Sequence, residues 1–236
     1  MIPLRDTIPA RSYPFVTVAL IVANVAVFLH ELSLGPYLEQ FIYAFGFVPA
    51  RYHYLKVVAP GSVLARLAPI VTSMFLHGGW LHLIGNMWIL WIFGDNVEDR
   101  LGKARYLGFY LACGVAAAYT HYWMQPLSDM PTVGASGAIA GVMGGYFVLF
   151  PQARVLTLVP ILFYPVILFV PAVTFLGLWF FLQLFNGTFA VATADMLAGG
   201  VAWWAHVGGF VAGVVLVRIL VRRDYVERRR DEYAPW

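Results

Sequence analysis

The chain has 236 residues, of which 61% are hydrophobic and 11% charged, and its mean hydropathy is +0.76. Because soluble domains carry about 25% charged residues, this composition excludes an ordinary soluble protein and predicts a polytopic membrane protein, with residues 1–236 as a single membrane domain. The net charge of +3 does not indicate nucleic-acid binding, because the basic residues follow the predicted topology. The single cysteine, Cys113, excludes an internal disulfide and a cysteine-based zinc site.

The apolar segments predict an all-α fold with six membrane-spanning helices. In chain order, the predicted spans are residues 12–30, 70–94, 106–123, 135–150, 171–187 and 198–218. Between the first two spans, residues 31–66 combine scattered charges with aromatic side chains, which predicts an outer loop that lies in the membrane interface. Residues 219–236 predict a basic cytoplasmic tail.

The number of spans depends on residues 155–194, a stretch without a formal charge that is long enough for two crossings. Pro160, Pro165 and Pro171 interrupt its first half, so we interpret residues 155–170 as a turn or an interfacial hairpin and only the remainder as a span. With six spans, twelve of the 15 Lys and Arg residues lie on the side of both termini. The positive-inside rule therefore predicts cytoplasmic termini. We separately expect the membrane to be a plasma (inner) membrane.

Ser136 is the first candidate catalytic residue. It follows Pro131 and Gly134 and begins the uncharged fourth span, which places its hydroxyl at a helix N-terminus, where backbone N–H groups lack intrahelical acceptors. Those N–H groups can stabilise an oxyanion beside the serine. The alternative is a plain N-cap serine, since serine is favoured at that position.

His206 is a candidate general base for this serine. A serine hydroxyl attacks a carbonyl only when a base accepts its proton, and a neutral imidazole is the usual acceptor near pH 7. The predicted topology places His206 and Ser136 in the same outer third of the bilayer, and the predicted spans contain no carboxylate to orient the imidazole. The sequence therefore predicts a Ser-His dyad. The alternative is a histidine hydrogen-bonded between helices.

Two more polar side chains lie on the second span. His82 and Asn86 are four residues apart, hence on one helix face, and with the Ser136 amide they predict an oxyanion hole. Interhelical hydrogen bonding is the alternative. His77 is either an outer member of the same cluster or an interfacial residue, and we favour the interfacial interpretation. Metal binding by His77, His82 and His206 is disfavoured because no Asp or Glu lies nearby in the sequence, and no cofactor is predicted.

Small residues accompany both catalytic candidates. They form a stripe on the fourth span and another on the histidine face of the sixth span, so the two helices can approach until a serine and a histidine touch. Generic helix packing and homo-oligomerisation through Gly-x-x-x-Gly are the alternatives. The glycines predicted to serve packing around the site are Gly134, Gly137, Gly141, Gly209 and Gly213.

Four short motifs lie in order on these spans: HGGWLHLIGN from His77, GDNVEDRLG from Gly94, GASG from Gly134 and AHVGGFVAG from Ala205. Together they resemble the rhomboid intramembrane serine proteases, over about residues 10–220. The resemblance implies a six-helix rhomboid-like bundle, a water-filled cavity open to the outer face and a gate involving span five. It also implies cleavage of transmembrane protein substrates within the lipid bilayer. The residues it implies are a dyad of Ser136 and His206, with an oxyanion hole of His82, Asn86 and the Ser136 amide.

Two positions depart from that family pattern. Four residues after the serine, where family members often carry an aromatic beneath the histidine, this chain has Ala140, so that support must come from elsewhere or be absent. The Trp-Arg pair that some members carry in the first outer loop is also missing, and Arg51 lies in a Pro-Ala-Arg-Tyr segment instead. Neither departure removes a catalytic candidate.

The sequence thus predicts an intramembrane serine endopeptidase. The alternative is a non-catalytic rhomboid-like membrane adaptor that binds membrane clients, which the presence of both Ser136 and His206 disfavours. A small-solute transporter is disfavoured as well, because the two halves of the chain show no internal repeat and the predicted spans lack carboxylates.

Overall fold

The computed structural model describes residues 1–161, 164–192 and 202–221. The predicted tail, residues 219–236, lies largely outside these ranges. Two single-turn 3-10 helices, Gly35–Tyr37 and Ser73–Phe75, precede α2 and α5. In chain order the other elements are β1 (Ile2–Asp6), α1 (Phe15–Ser33), α2 (Leu38–Phe45), α3 (Pro49–Val58), α4 (Val63–Thr72), α5 (Trp80–Leu101), α6 (Lys103–Met124), α7 (Ser136–Leu149), β2 (Arg154–Ile161), β3 (Tyr164–Pro171), α8 (Ala172–Ala192) and α9 (Trp203–Leu220).

The helices make this an integral membrane protein. Among the described residues, α1, α8 and α9 are long and apolar enough to cross a bilayer, and α4 with α5 is a fourth candidate, bent by 82°. The apolar helix α7 has only 14 residues, or about 21 Å at 1.5 Å per residue, less than the ~30 Å hydrocarbon core. In α6, a charged first turn and several tyrosines lower the hydropathy. The count of six spans therefore stays a prediction.

The expectation of an all-α fold is wrong at one end of the molecule, where β1, β2 and β3 form an antiparallel sheet in that order. Of residues 155–170, the described parts 155–161 and 164–170 form most of strands β2 and β3, with Arg154 opposite Pro171. The leader supplies β1, in which Ile2 pairs with Leu158. Valine and isoleucine in the hairpin favour extended backbone, and its prolines prevent a helix.

Asp6 attaches this sheet to the helices. Its carboxylate accepts a hydrogen bond from the Tyr146 hydroxyl of α7 at 2.5 Å and another from the Asn96 amide of α5 at 2.9 Å. Burial raises the pKa of Asp6 to about 6, and the Tyr146 hydrogen bond opposes that rise. The leader strand is thereby held against the C-terminal parts of α5 and α7.

Glu98 joins α1 to α5. Its carboxylate accepts hydrogen bonds from the backbone N–H groups of Val16 at 3.0 Å and Thr17 at 2.8 Å, which are first-turn groups with no acceptor in their own helix. The Thr17 hydroxyl donates to the same carboxylate at 2.8 Å. A carboxylate at a helix N-terminus also interacts favourably with the helix dipole. These contacts give the glutamate of the GDNVEDRLG motif a structural role.

Residues 31–66, predicted as an interfacial loop, form the end of α1, the short helices α2 and α3 and the start of α4. Arg51 donates to two backbone carbonyls within this segment. Between α2 and α3, the Phe47 N–H donates to the Thr132 carbonyl at 3.0 Å, and the Thr132 N–H donates back at 2.8 Å. The segment therefore helps to hold the loop that leads into α7.

The contact between α7 and α9 is the most extensive between any two described elements. An added Cβ at Gly209 would overlap the carbonyl oxygen of Gly137, and one at Gly213 would overlap that of Gly141. Because backbone meets backbone at both points, a larger residue would force the helices apart. Every residue from Gly137 to Tyr146 is buried, which makes α7 the central helix of the bundle.

We expect Gly209→Val to destabilise the bundle, because the new side chain would overlap the Gly137 backbone and overpacking of this kind costs about 1–3 kcal/mol. The thermal melting temperature of the purified protein measures this effect. Gly108→Val in α6 is the matched control, since no described heavy atom lies within 4 Å of a Cβ at that position. Equal melting temperatures for the two variants would contradict the packing account.

Candidate active site

Ser136 is the first residue of α7. The preceding Gly134 has a φ of +118°, which side chains rarely allow, and its N–H donates to the Ser73 carbonyl at 2.9 Å. This turn leads the chain into α7, where the N–H groups of Ser136, Gly137 and Ala138 have no acceptor within the helix. The serine hydroxyl therefore lies beside a set of backbone donors.

His206 lies on the first turn of α9 and reaches Ser136 across the α7–α9 contact. Its Nε2 atom is 2.8 Å from the Ser136 Oγ. The glycine contacts make this distance possible, because a side chain at Gly209 or Gly213 would separate the helices. The structure thus brings together the two residues predicted as nucleophile and base, at hydrogen-bonding distance.

A glutamine that the sequence reasoning missed lies on the other side of the imidazole. Gln183 of α8 is 7% exposed, and its Oε1 is 2.8 Å from the Nδ1 of His206. Its Nε2 donates to the Trp179 carbonyl at 3.3 Å. The signal in the sequence was a glutamine in an uncharged span whose other polar side chains are Thr174 and Asn186, since a buried polar group needs a partner.

The predicted oxyanion residues lie on α5 and line the same cavity as Ser136. The Gly78 N–H points at the His82 Nδ1 from 3.4 Å, which leaves the proton of a neutral imidazole on Nε2 as a donor. The Asn86 Nδ2 is 3.0 Å from the Nε2 of His77. The Asn86 Nδ2 carries two hydrogens, so one remains to donate to an oxyanion when the other donates to His77.

The structure supports the other interpretation of His77, as an outer member of this polar cluster, because its side chain is 2% exposed and bonds Asn86. It lies at the bend between α4 and α5. Its backbone N–H donates to both carboxylate oxygens of Glu31, at 3.2 and 3.3 Å. The expectation that the spans lack carboxylates fails here as well, since α1 extends past residue 30 and includes Glu31.

Gly134 lies directly against the oxyanion residues. A Cβ on Gly134 would lie 2.7 Å from the His82 Nε2 and 3.5 Å from the Asn86 Nδ2. The position therefore requires glycine for two reasons, its backbone conformation and the space. The other predicted glycines pack one helix against another. Gly134 instead brings the turn before Ser136 close to the donors of α5.

A cavity of about 700 Å³ opens among α5, α6, α7, α8 and α9, and Ser136 and His206 are part of its wall. This volume falls within the usual range for ligand pockets. His121 belongs to α6, within the predicted third span, and lines this cavity. Its Nδ1 has no hydrogen-bond partner among the described residues. Within the described ranges, no three His, Cys, Asp or Glu side chains are grouped to hold a metal ion.

Comparison with known proteins points to one family. A family model described as the Rhomboid domain matches residues 64–223. The presenilin-associated rhomboid-like protein A, mitochondrial, of Danio rerio is 30% identical over 157 residues, which cover 63% of this chain and 36% of that protein. Rhomboid protein 1, mitochondrial, of Saccharomyces cerevisiae is 31% identical over 156 residues, covering 62% and 40%. YdcA of Bacillus subtilis is 40% identical over 77 residues, covering 33% and 38%. The matches thus span two fifths or less of each relative.

We expect Asn86→Ala to lower kcat by about 10²-fold with little change in KM, the effect of losing one oxyanion donor. Kinetics on a fluorogenic transmembrane peptide measure both constants. Asn24→Ala is the control, because Asn24 is also a buried amide but bonds the Leu20 carbonyl within α1. A loss in Asn86→Ala that falls entirely on KM would show that Asn86 contacts substrate instead.

Proposed function

As the chain belongs to the rhomboid family, we propose that it is an intramembrane serine endopeptidase that cleaves transmembrane segments of membrane-anchored proteins near the outer face. The observation that carries the proposal is the 2.8 Å contact between the His206 Nε2 and the Ser136 Oγ at the wall of a cavity. A hydroxyl, an imidazole and a set of converging N–H donors are the groups that acyl transfer requires.

In the proposed reaction, the Ser136 Oγ attacks the scissile carbonyl carbon while its proton passes to the His206 Nε2. The oxyanion that forms accepts hydrogen bonds from the Ser136 N–H, the His82 Nε2–H and the Asn86 Nδ2–H. His206 then gives its proton to the leaving amine as the C–N bond breaks, which leaves an ester on Ser136. Water, deprotonated by His206, hydrolyses that ester and restores the serine.

A non-catalytic membrane adaptor remains the second candidate function. An adaptor needs a surface that binds clients, but it needs neither a hydroxyl bonded to an imidazole nor donors aimed at the same point. The contact between Ser136 and His206 and the donors on α5 therefore favour the peptidase.

The proposed substrates are transmembrane segments that unwind easily. A hydrogen-bonded helix hides its carbonyls from a nucleophile, so a cleavable segment needs glycine, proline or other residues of low helix propensity near the scissile bond. Ser136 and His206 lie near the first turns of α7 and α9, which the predicted topology places toward the outer face.

The cellular membrane that holds the protein and the side on which its termini lie rest on different observations. The comparisons lend no support to the expected plasma membrane, since the zebrafish and yeast relatives are mitochondrial by name. The proposed orientation keeps both termini on one face of the bilayer, because six spans then place twelve of the 15 Lys and Arg residues there.

We expect Ser136→Ala and His206→Ala each to remove nearly all peptidase activity, and the double variant to be little worse than either, because the two residues act as a unit. Cleavage of a transmembrane substrate in proteoliposomes measures this. The parent should also react with a serine-directed phosphonate, whereas Ser136→Ala should not. Cleavage by Ser136→Ala at the parental rate would contradict the proposal, and a folded parent that neither cleaves nor labels would favour the adaptor.

We expect cleavage in the outer half of the substrate's span, next to glycine, proline or small residues, because those carbonyls are the ones a local unwinding exposes. Mass spectrometry of the two fragments locates the scissile bond. As a control, the small residues around that bond are replaced by leucine, which should slow cleavage. Bonds mapped to the cytoplasmic half, or insensitivity to the leucine substitutions, would contradict this part of the proposal.

A further inference from the structure

Gln183 is the one described side chain within hydrogen-bonding distance of the His206 Nδ1. Its amide has two ends with opposite hydrogen-bonding character, since Oε1 only accepts and Nε2 only donates. The Nε2 end faces the Trp179 carbonyl at 3.3 Å, and a carbonyl can only accept. A flipped amide would place Oε1 against that carbonyl, so the Trp179 contact selects the orientation in which Oε1 faces His206.

This orientation determines where the imidazole carries its proton. Because Oε1 can only accept, the His206 Nδ1 must donate across the 2.8 Å contact. A neutral imidazole has one N–H, so Nε2 is left with its lone pair toward the Ser136 Oγ at 2.8 Å. That is the tautomer in which His206 can accept the serine proton.

We propose that Gln183 is a positioning residue that holds His206 in the tautomer and ring orientation of a general base, the task of the carboxylate in a Ser-His-Asp triad. This role rests on the proposed peptidase function. It makes the site a dyad supported by a neutral amide on a third helix, α8.

The ring of His206 is supported from the same helix. The Trp179 ring lies 5.8 Å from the His206 ring, centroid to centroid, at an interplanar angle of 35°. On α9 itself, the Trp203 ring lies 6.4 Å away and perpendicular to the imidazole. The position four residues after the serine is the small, buried Ala140. Two neighbouring turns of α8 thus support the His206 imidazole in place of an aromatic on α7. Trp179 packs beside the ring, and Gln183 accepts its hydrogen bond.

A glutamine is suited to this position because it accepts the Nδ1–H without adding a charge to an apolar helix. An ionised carboxylate at the same place would have to give up its hydration among apolar helices, which disfavours its charged form. The amide oxygen stabilises the imidazolium less than a carboxylate does, so replacing the amide by a carboxylate should change the pH dependence of the reaction. The described titratable groups that act on His206 are His82 and His121, and neither changes in this comparison.

The test uses the full-length protein in proteoliposomes with three variants. Gln183→Met keeps the length of the side chain and removes the acceptor. Gln183→Glu restores an acceptor as a carboxylate. Thr188→Val is the matched control on α8, since Thr188 is exposed and its hydroxyl, among the described residues, bonds the Leu184 and Phe185 carbonyls of its own helix. Measured for each are kcat, KM, the rate of phosphonate labelling and the pH profile of kcat/KM.

We expect Gln183→Met to lose about 10²-fold in kcat and in labelling rate, at the lower end of what a general base contributes, with KM unchanged. Gln183→Glu should retain more activity than Gln183→Met, with the acidic limb of its profile shifted to higher pH, because a carboxylate favours the imidazolium. Thr188→Val should match the parent. A role in packing alone would not move the pH profile.

The outcomes separate this role from the proposed function. A parent that neither cleaves nor labels overturns the peptidase and the role of Gln183 together. An active parent whose Gln183→Met variant keeps its kcat and labelling rate overturns the role of Gln183 alone. If Gln183→Met fails to fold, the pH profile of Gln183→Glu decides: an unshifted acidic limb overturns the role, and a shift to higher pH supports it.

Discussion

The approach of α9 to α7 at two glycine pairs is the contact on which the rest of the site depends. Gly209 and Gly213 meet the carbonyl oxygens of Gly137 and Gly141, so the separation of the two helices is set by backbone atoms. Backbone contacts leave no rotamer that can relax to accommodate a change. The short distance from serine to histidine follows from this rigid contact, because each residue lies one turn or less from a glycine pair.

The imidazole itself is held from a third direction. The family pattern implied an aromatic on the serine helix, and the sequence showed only Ala140 there. The structure places Trp179 and Gln183 of α8 against His206 instead. Support from α8 also links the orientation of the histidine to the position of that helix. A displacement of α8 that broke the amide contact would release the imidazole while leaving the α7–α9 contact intact.

On the α5 side of the site, the position of the polar side chains depends on the buried carboxylate of Glu31. Glu31 holds the backbone at the bend before α5, His77 at that bend bonds Asn86, and Gly134 brings the serine turn within reach of His82 and Asn86. The hydrogen bonds of Glu31 and His77 satisfy polar groups that would otherwise be buried without a partner. They hold Asn86 in place, which is what the proposed oxyanion hole needs in order to act without reorganisation.

The sequence alone determined the membrane class, the approximate helices and the two residues that meet at the site, because hydropathy and helix-terminal chemistry are local properties. Its errors were non-local. The sheet requires the leader to pair with a hairpin more than 140 residues away, which no local pattern reports. Gln183 was missed, and His77 was favoured as an interfacial residue, because their roles depend on partners from other helices. Only the tertiary structure decides which buried polar groups satisfy one another, since hydrogen bonds across a bundle depend on helix rotation and separation, and neither quantity is encoded in the periodicity of a single span.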